Sequence, residues 1–592
     1  MQRRAMIMMT LFAAAFAAVR ARTPGIGSSK PLSVLFDQFM SENLDISPVT
    51  VTYLGMDTGA RSRQKSAIDD SSEAGIERQK ALITSQLARL KAFDRGSLSV
   101  QDATSYDVVM YGLRTNDAAN RAFSYGAVGG GQPYVLSQLN GNYQQIPAFL
   151  DSQHTITTSA DADAYIARLA GFAKALDQEI GVARHDMALG VIPPDFALAK
   201  TLTQMNALRA PPPEESPLAT SIARRTREKN IPGNYAQQAS RVIKDSVYPA
   251  LERQIAVVTE MQAKAPHDAG VWRLPDGEAY YATSLVTWAT TSKKPAEIHQ
   301  LGLELVKEHT ARINTFMQKL GMTQGTVGER LRAMYRDPKF LYPNTDAARQ
   351  ALLADLNGRV QRVRDKLPRY FGTVPKANVE IKRIAKETEA SASAHYDNAS
   401  LDGTRPGIYW INLRDTAETP EWTLPTLTYH ESIPGHHLQL SIQQETNLPL
   451  IRKVSFYSAY IEGWALYAEQ LAAEMGEYDD DAYGHIGQLH ASMYRAVRLV
   501  VDTGIHSKRW TREQAVRYFV DVLGDPETSA ITEVERYSVW PGQCCAYMLG
   551  KLTFLAQRAR AQKAAGYDIR KFHDAMLLPG ALPLELLEQV YA

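Results

Sequence analysis

The stretch Tyr429-His-Glu-Ser-Ile-Pro-Gly-His-His-Leu-Gln439 gathers His430, His436 and His437, three of the chain's thirteen histidines. A helix that binds a metal through two histidines usually carries them four residues apart, because one turn then aims both imidazoles at one ion. Here the second histidine comes six or seven positions after the first. On a regular helix six steps rotate by about 240°, which puts His430 and His436 on different faces. Seven steps restore the face but separate the Cα atoms by about 10 Å along the axis, a long reach for one ion. Pro434 removes a backbone donor and disrupts the turn before it. A local bulge at Ile433-Pro434-Gly435 is therefore expected to absorb the two extra residues and return His436 to the ion. His436 is preferred to His437 as second ligand, and His437 stays as the alternative.

A third ligand should come from another helix. Ile461-Glu-Gly-Trp-Ala-Leu-Tyr-Ala-Glu469 carries two acids seven positions apart, hence on one helical stripe. Glu462 can then bind the metal while Glu469 supports the site from behind. Two imidazoles and one carboxylate leave a fourth position for water, the arrangement of a catalytic rather than a structural site. The ligand types suit one Zn2+ ion, although other first-row ions accept the same donors. Glu431, beside His430, is placed to act as general base.

The rest of the chain reads as mainly helical. Apolar residues recur at three- and four-residue steps over 160–184, 295–320, 347–366, 446–475, 485–502 and 511–522. Strand-like runs are few, the clearest being 378–384 and 407–413. Pro-rich 210–217 and Gly-rich 127–133 read as loops or linkers. All chemistry-bearing residues follow about Pro295, which suggests a helical N-terminal region over 22–290 and a catalytic region over 291–592.

The 65 basic and 64 acidic residues nearly cancel, which argues against a nucleic-acid or anionic-membrane surface. Arg3 and Arg4 precede an apolar run to Val19, with small residues around Ala21. This is the layout of a signal peptide over 1–21, and the run is short for a membrane span. Export to the periplasm or beyond, with no stable span after cleavage, is the expectation. Cys544 and Cys545 are the only cysteines. No cysteine follows the apolar run, so lipid attachment there is not expected, and adjacent cysteines form no ordinary disulfide.

The chain resembles the large bacterial family catalogued as domain of unknown function 885, itself similar to the gluzincin group of zinc metallopeptidases. The resemblance rests on His-Glu-Ser-Ile-Pro-Gly-His-His-Leu-Gln at 430–439, Glu-Gly-Trp-Ala-Leu-Tyr-Ala-Glu at 462–469 and Arg-Leu-Val-Val-Asp-Thr-Gly-Ile-His at 498–506. Arg536-Tyr537 with Pro541-Gly-Gln543, and Ile298-His-Gln-Leu-Gly-Leu303, also match. It implies a large helical zincin-like fold with a small sheet beside the active-site helix. It also implies His430, His436 and Glu462 as ligands and Glu431 as base.

The expected activity is zinc-dependent hydrolysis of short or unfolded peptides. Hydrolysis of non-peptide amides and non-catalytic binding of metal or peptide are the alternatives. The donor for the tetrahedral intermediate would be His506 or Tyr537. Arg495, Asp502 and His506 share a helical face with Arg498 beside them, which fits an ion-pair network as well as a catalytic set, and Arg498 and Asp502 are spaced to pair. Arg498 or Arg536 could hold a peptide's terminal carboxylate. The run 407–413 precedes the metal helix closely, where the resemblance implies a strand pairing with extended substrate, with Tyr409 and Asn412 as contacts.

Overall fold

The computed structural model describes residues 30–384, 394–398 and 406–591. The signal-peptide expectation over 1–21 lies outside the described residues. Helices dominate. Among them are α1 (Ser159–Ala188), α2 (Tyr248–Gln262), α3 (Pro295–Lys319) and α4 (Asp346–Tyr370), followed by strands β1 (Val379–Arg383), β2 (His395–Asp397) and β3 (Gly407–Ile411). After the sheet come α5 (Leu424–Glu431), α6 (His436–Glu445), α7 (Ser458–Glu474), α8 (Ala482–Ser507), α9 (Glu527–Val539) and α10 (Ala546–Ala561).

Most of these follow the periodicity closely, but the apolar pattern over 446–475 does not form one helix. A short helix, Leu450–Lys453, is capped by Pro449 and ends before the chain turns into α7 at Ser458. The apolar side chains on both sides of the turn enter cores, so the three- and four-residue spacing continues through a change of direction. The Gly-rich stretch is a loop in which Gly129, Gly130 and Gly131 all have positive φ, and residues 210–216 lie between helices.

One apolar core, rich in α3, α7, α8 and α10, runs in sequence from Val108 to Leu587 and so includes residues on both sides of 290. A second core, between Leu136 and Met261, is built around α1 and α2. Two close helix crossings organise the first core. Where α3 meets α8, a Cβ on Gly302 would lie 2.8–2.9 Å from Val500 and Leu499 side-chain atoms, so only glycine fits. Where α7 meets α10, Gly463 and Gly550 face each other. A Cβ on Gly463 would come within 2.4 Å of the Gly550 Cα, and one on Gly550 within 1.9 Å of the Ala459 carbonyl oxygen. Such contacts are inside normal van der Waals distance, and that backbone approach fixes the height of Glu462 on α7.

The sheet has the order β1-β3-β2, parallel between β1 and β3 and antiparallel between β3 and β2. β3 therefore lies inside the sheet, with both edges hydrogen-bonded. Over Ile408–Trp410, where both neighbours pair with it, β3 has no free edge for the extended substrate expected along the run 407–413.

Candidate metal centre

The Pro-Gly element breaks the helix outright instead of bulging it. α5 stops at Glu431, four residues turn, and α6 starts at His436 with Gly435 at its N-cap. The turn is held at three points. The Ser432 amide donates to the Thr428 carbonyl (2.9 Å), and the His437 amide to the Ser432 carbonyl (3.0 Å). The Trp464 indole, two residues past Glu462 on α7, donates to the Pro434 carbonyl (3.0 Å). Gly435 is required here, since a Cβ would sit 2.0 Å from the His430 carbonyl oxygen. The break thus packs the start of α6 against the end of α5 and is tied to the helix that bears Glu462.

This brings His430, His436 and Glu462 together, all buried, with their candidate ligand atoms mutually within 4.8 Å. The His430 Nε2 and His436 Nε2 atoms lie 3.4 Å and 3.6 Å from Glu462 Oε2, and the two rings are nearly perpendicular. Two donors each 2.0–2.2 Å from a tetrahedral zinc are about 3.3–3.6 Å apart, so the spacing is that of a metal site. It is long for a hydrogen bond, and Glu462 Oε2 has no hydrogen-bond partner despite burial.

Glu469, fully buried one stripe-repeat along α7, accepts a hydrogen bond from His430 Nδ1 at 2.8 Å. A carboxylate can only accept, so in a neutral ring the Nε2 lone pair faces Glu462. Two lone pairs at 3.4 Å call for a cation between them. Burial works against charge on His430, but Glu462 and Glu469 outweigh it and push the ring up to about 9. Burial likewise opposes ionisation of Glu462, and His430 and His436 hold it well below the usual carboxylate range. The donor set fits a divalent ion in place of those protons.

His437 points elsewhere. Its Nε2 donates to the Ala377 carbonyl (3.0 Å) and its Nδ1 accepts from the Tyr396 hydroxyl (2.7 Å), pinning α6 to the sheet. Burial holds this ring neutral, with its pKa lowered to about 4.

A small cleft of about 60 Å³ opens on the cluster. Glu431, half-buried at the end of α5, lines it beside the three candidate ligands. His395 and Tyr396 of β2, Arg495 and Arg498 of α8 and Tyr547 of α10 complete much of the wall. Tyr547 carries no motif in the sequence. It arrives because the Gly463–Gly550 crossing sets the first turn of α10 near Glu462.

Several expected residues sit away from this wall. His506 is fully committed: it accepts from the Val271 amide at Nδ1 (3.1 Å) and donates from Nε2 to the Tyr537 carbonyl (3.0 Å). The Tyr537 hydroxyl donates to Glu533 (2.8 Å) and accepts from Arg498 Nε (3.1 Å), deep in the core. Neither lines the cleft, which corrects both as donors to an intermediate. Tyr409 is fully buried in the central strand, while Asn412 lines the wider cavity that adjoins the cleft. Arg536 is buried behind the wall, paired with Glu533 and Gln543.

The helical stripe on α8 divides. Arg495 and Arg498 face the cleft, and Arg498 pairs with Glu533 rather than with Asp502. Asp502 takes the Tyr281 hydroxyl (2.5 Å), the Gly542 amide (3.1 Å) and the Cys544 thiol (3.3 Å). Asp502, Cys544 and Cys545 also converge as possible donors, but this carboxylate is already saturated by protein groups. Burial pushes the Cys544 thiol up to about 11, which keeps it protonated.

A mainly helical fold with a buried His-His-Glu cluster at a broken helix defines the class. Residues 48–590 match the family described as a bacterial protein of unknown function (DUF885), and the chain belongs to that family. A search among curated proteins finds no match. The solved structures include a "putative lipoprotein" from Colwellia psychrerythraea, 32% identical, with a TM-score of 0.91 over 96% of this chain and 99% of that one. A "putative lipoprotein of unknown function" from Shewanella oneidensis shares the fold at 16% identity, with a TM-score of 0.71 over 95% and 99% of the two chains. Among the described residues no helix is long and apolar enough to cross a membrane.

Proposed function

We propose that the protein is an exported zinc-dependent peptidase of gluzincin-like type, acting on short or unfolded peptides. The observation that carries the reading is the spacing of His430, His436 and Glu462 around an unpartnered, buried Glu462 oxygen. A zinc ion held there supplies Lewis-acid chemistry and lowers the pKa of a water to near 7.

The chain's own groups do the rest. Glu469 fixes the His430 tautomer so that Nε2 presents its lone pair. Glu431 accepts the proton of the attacking water at its carboxylate and passes it to the leaving nitrogen. Tyr547, on the cleft wall and close enough to Glu462 to feel its charge, is the candidate donor for the tetrahedral oxyanion. Export is supported by the N-terminal layout and by the lipoprotein description of the Colwellia psychrerythraea neighbour.

The test is Glu431→Gln assayed on a mixed peptide library with and without chelator. The variant should bind one zinc per chain and lose turnover. A zinc-loaded wild type that cuts no bond in the library would overturn the proposal.

A further inference from the structure

Two guanidinium groups on the cleft wall have donors that the protein does not use. Arg498 is 1% exposed, and its Nη2 reaches Glu533 Oε2 (3.0 Å) while its Nε reaches the Tyr537 hydroxyl (3.1 Å). Its Nη1 is buried without a hydrogen-bond partner. Arg495, one turn earlier, donates from Nη1 to its own helix at Ala491 (3.3 Å) and keeps only a loose 3.6 Å approach to Glu469. Its Nε is also unpartnered. A charged donor left unsatisfied out of water is costly, and an anion entering the cleft would complete both.

The local charge points the same way. Glu533 is shared by Arg498 and Arg536, so one acid answers two cations. Glu469 is engaged with His430. The Arg498 guanidinium lies over two aromatic rings, 4.5 Å from the Tyr547 centroid and 4.8 Å from that of Tyr494. Those stacks hold its plane fixed, and a fixed planar fork matches a carboxylate.

We infer that Arg498, assisted by Arg495, receives the free C-terminal carboxylate of a peptide, so that the site removes residues from the C-terminal end. This deepens the peptidase reading and rests on it. The cleft lined by Arg498, Arg495 and Glu431 is small, about 60 Å³, too little for a long run of peptide beyond the reacting bond. The carboxylate and the candidate ligands share that space, so the bond presented to Glu431 is near the chain end. The cleft continues, past shared walls at Ala394, Leu427 and Arg495, into a wider cavity of about 770 Å³. There Glu418, Asp521, Asp525 and Glu527 contribute acidic lining, with Arg332 and Arg336 on the same wall. Arg498 and Arg495 accept the carboxylate, and the wider cavity accommodates the amino-terminal side of the peptide.

The experiment compares N-acetyl-trialanine with its C-terminal amide, titrated calorimetrically into zinc-loaded Glu431→Gln protein. The free acid should bind at least tenfold tighter than the amide. Adding Arg498→Gln should bring that ratio close to one without changing zinc stoichiometry. Should Arg498→Gln fail to fold, because it strands Glu533, Arg495→Gln serves in its place and should reduce the ratio at least threefold. Equal binding of acid and amide, or no binding of either, overturns the inference. A wild type that prefers the acid yet cleaves nothing would instead sink the peptidase reading and leave the carboxylate pocket standing.

Discussion

Replacing Glu469 by glutamine isolates the charge behind His430 while keeping the shape. The carboxylate accepts from His430 Nδ1 at 2.8 Å and is fully buried, so bulk water does not screen it. A glutamine carbonyl can still accept the same hydrogen bond, which preserves the tautomer and the ring orientation. What is lost is the charge assistance. Hydrogen bonds to charged groups contribute about 1.5–3 kcal/mol against about 0.5–1.5 for neutral ones, a difference of about 1–1.5 kcal/mol. At 1.4 kcal/mol per tenfold, the zinc dissociation constant should rise about tenfold. Glu469→Ala removes the bond as well and should fall toward the far end of the roughly 10–100-fold range seen when a ligand's partner is lost. Competition with a zinc-binding dye at fixed pH measures both, with thermal melting to confirm that each variant is folded. An unchanged zinc affinity in folded Glu469→Ala would refute the assignment of His430 Nε2 as a donor to the ion.

His437→Ala should retain one zinc per chain but lower the melting midpoint, because it releases the Tyr396 hydroxyl and the Ala377 carbonyl; zinc loss with an unchanged midpoint would exchange the roles of His436 and His437. Gly463→Ala should destabilise the fold by about 1–3 kcal/mol in chemical denaturation, since its Cβ would stand 2.4 Å from the Gly550 Cα; a neutral effect would contradict the close crossing of α7 and α10. Stability should fall as pH drops from about 6.5 toward 3. Burial lowers the pKa of His154, His309 and His573 to about 3 each, so the unfolded chain takes up protons across this window before the folded chain does. Each of these histidines adds at most about 1.4 kcal/mol per pH unit to the slope. Denaturation at pH 7, 6 and 5 checks the sign.

The parts of the site legible in the sequence are those whose spacing encodes geometry. Glu462 and Glu469 stand seven apart on an unbroken helix, so one stripe carries both to His430. His430 and Glu431 are neighbours, and the Pro-Gly pair announces that the helix cannot continue. The form of the interruption was less legible, because a bulge and a full stop both follow from the same proline. What decides between them is the Trp464 bond to the Pro434 carbonyl, a tertiary contact. His506 and Tyr537 misled for a related reason. Their residue types suit catalysis, but backbone groups at Val271 and Tyr537 occupy one ring and Glu533 the other hydroxyl, and no local pattern records such capture. Tyr547 was invisible because only the meeting of Gly463 with Gly550 brings it near Glu462. The split of 446–475 went unseen because both halves bury the same kind of side chain.

The central claim is that one ion sits between His430, His436 and Glu462, and crystals of zinc-loaded protein measured on either side of the zinc absorption edge test it most directly. The account predicts one strong anomalous peak about 2.0–2.2 Å from His430 Nε2, His436 Nε2 and a Glu462 carboxylate oxygen. A fully loaded protein with no peak there, or with its peak at Asp502, Cys544 and Cys545, would contradict it.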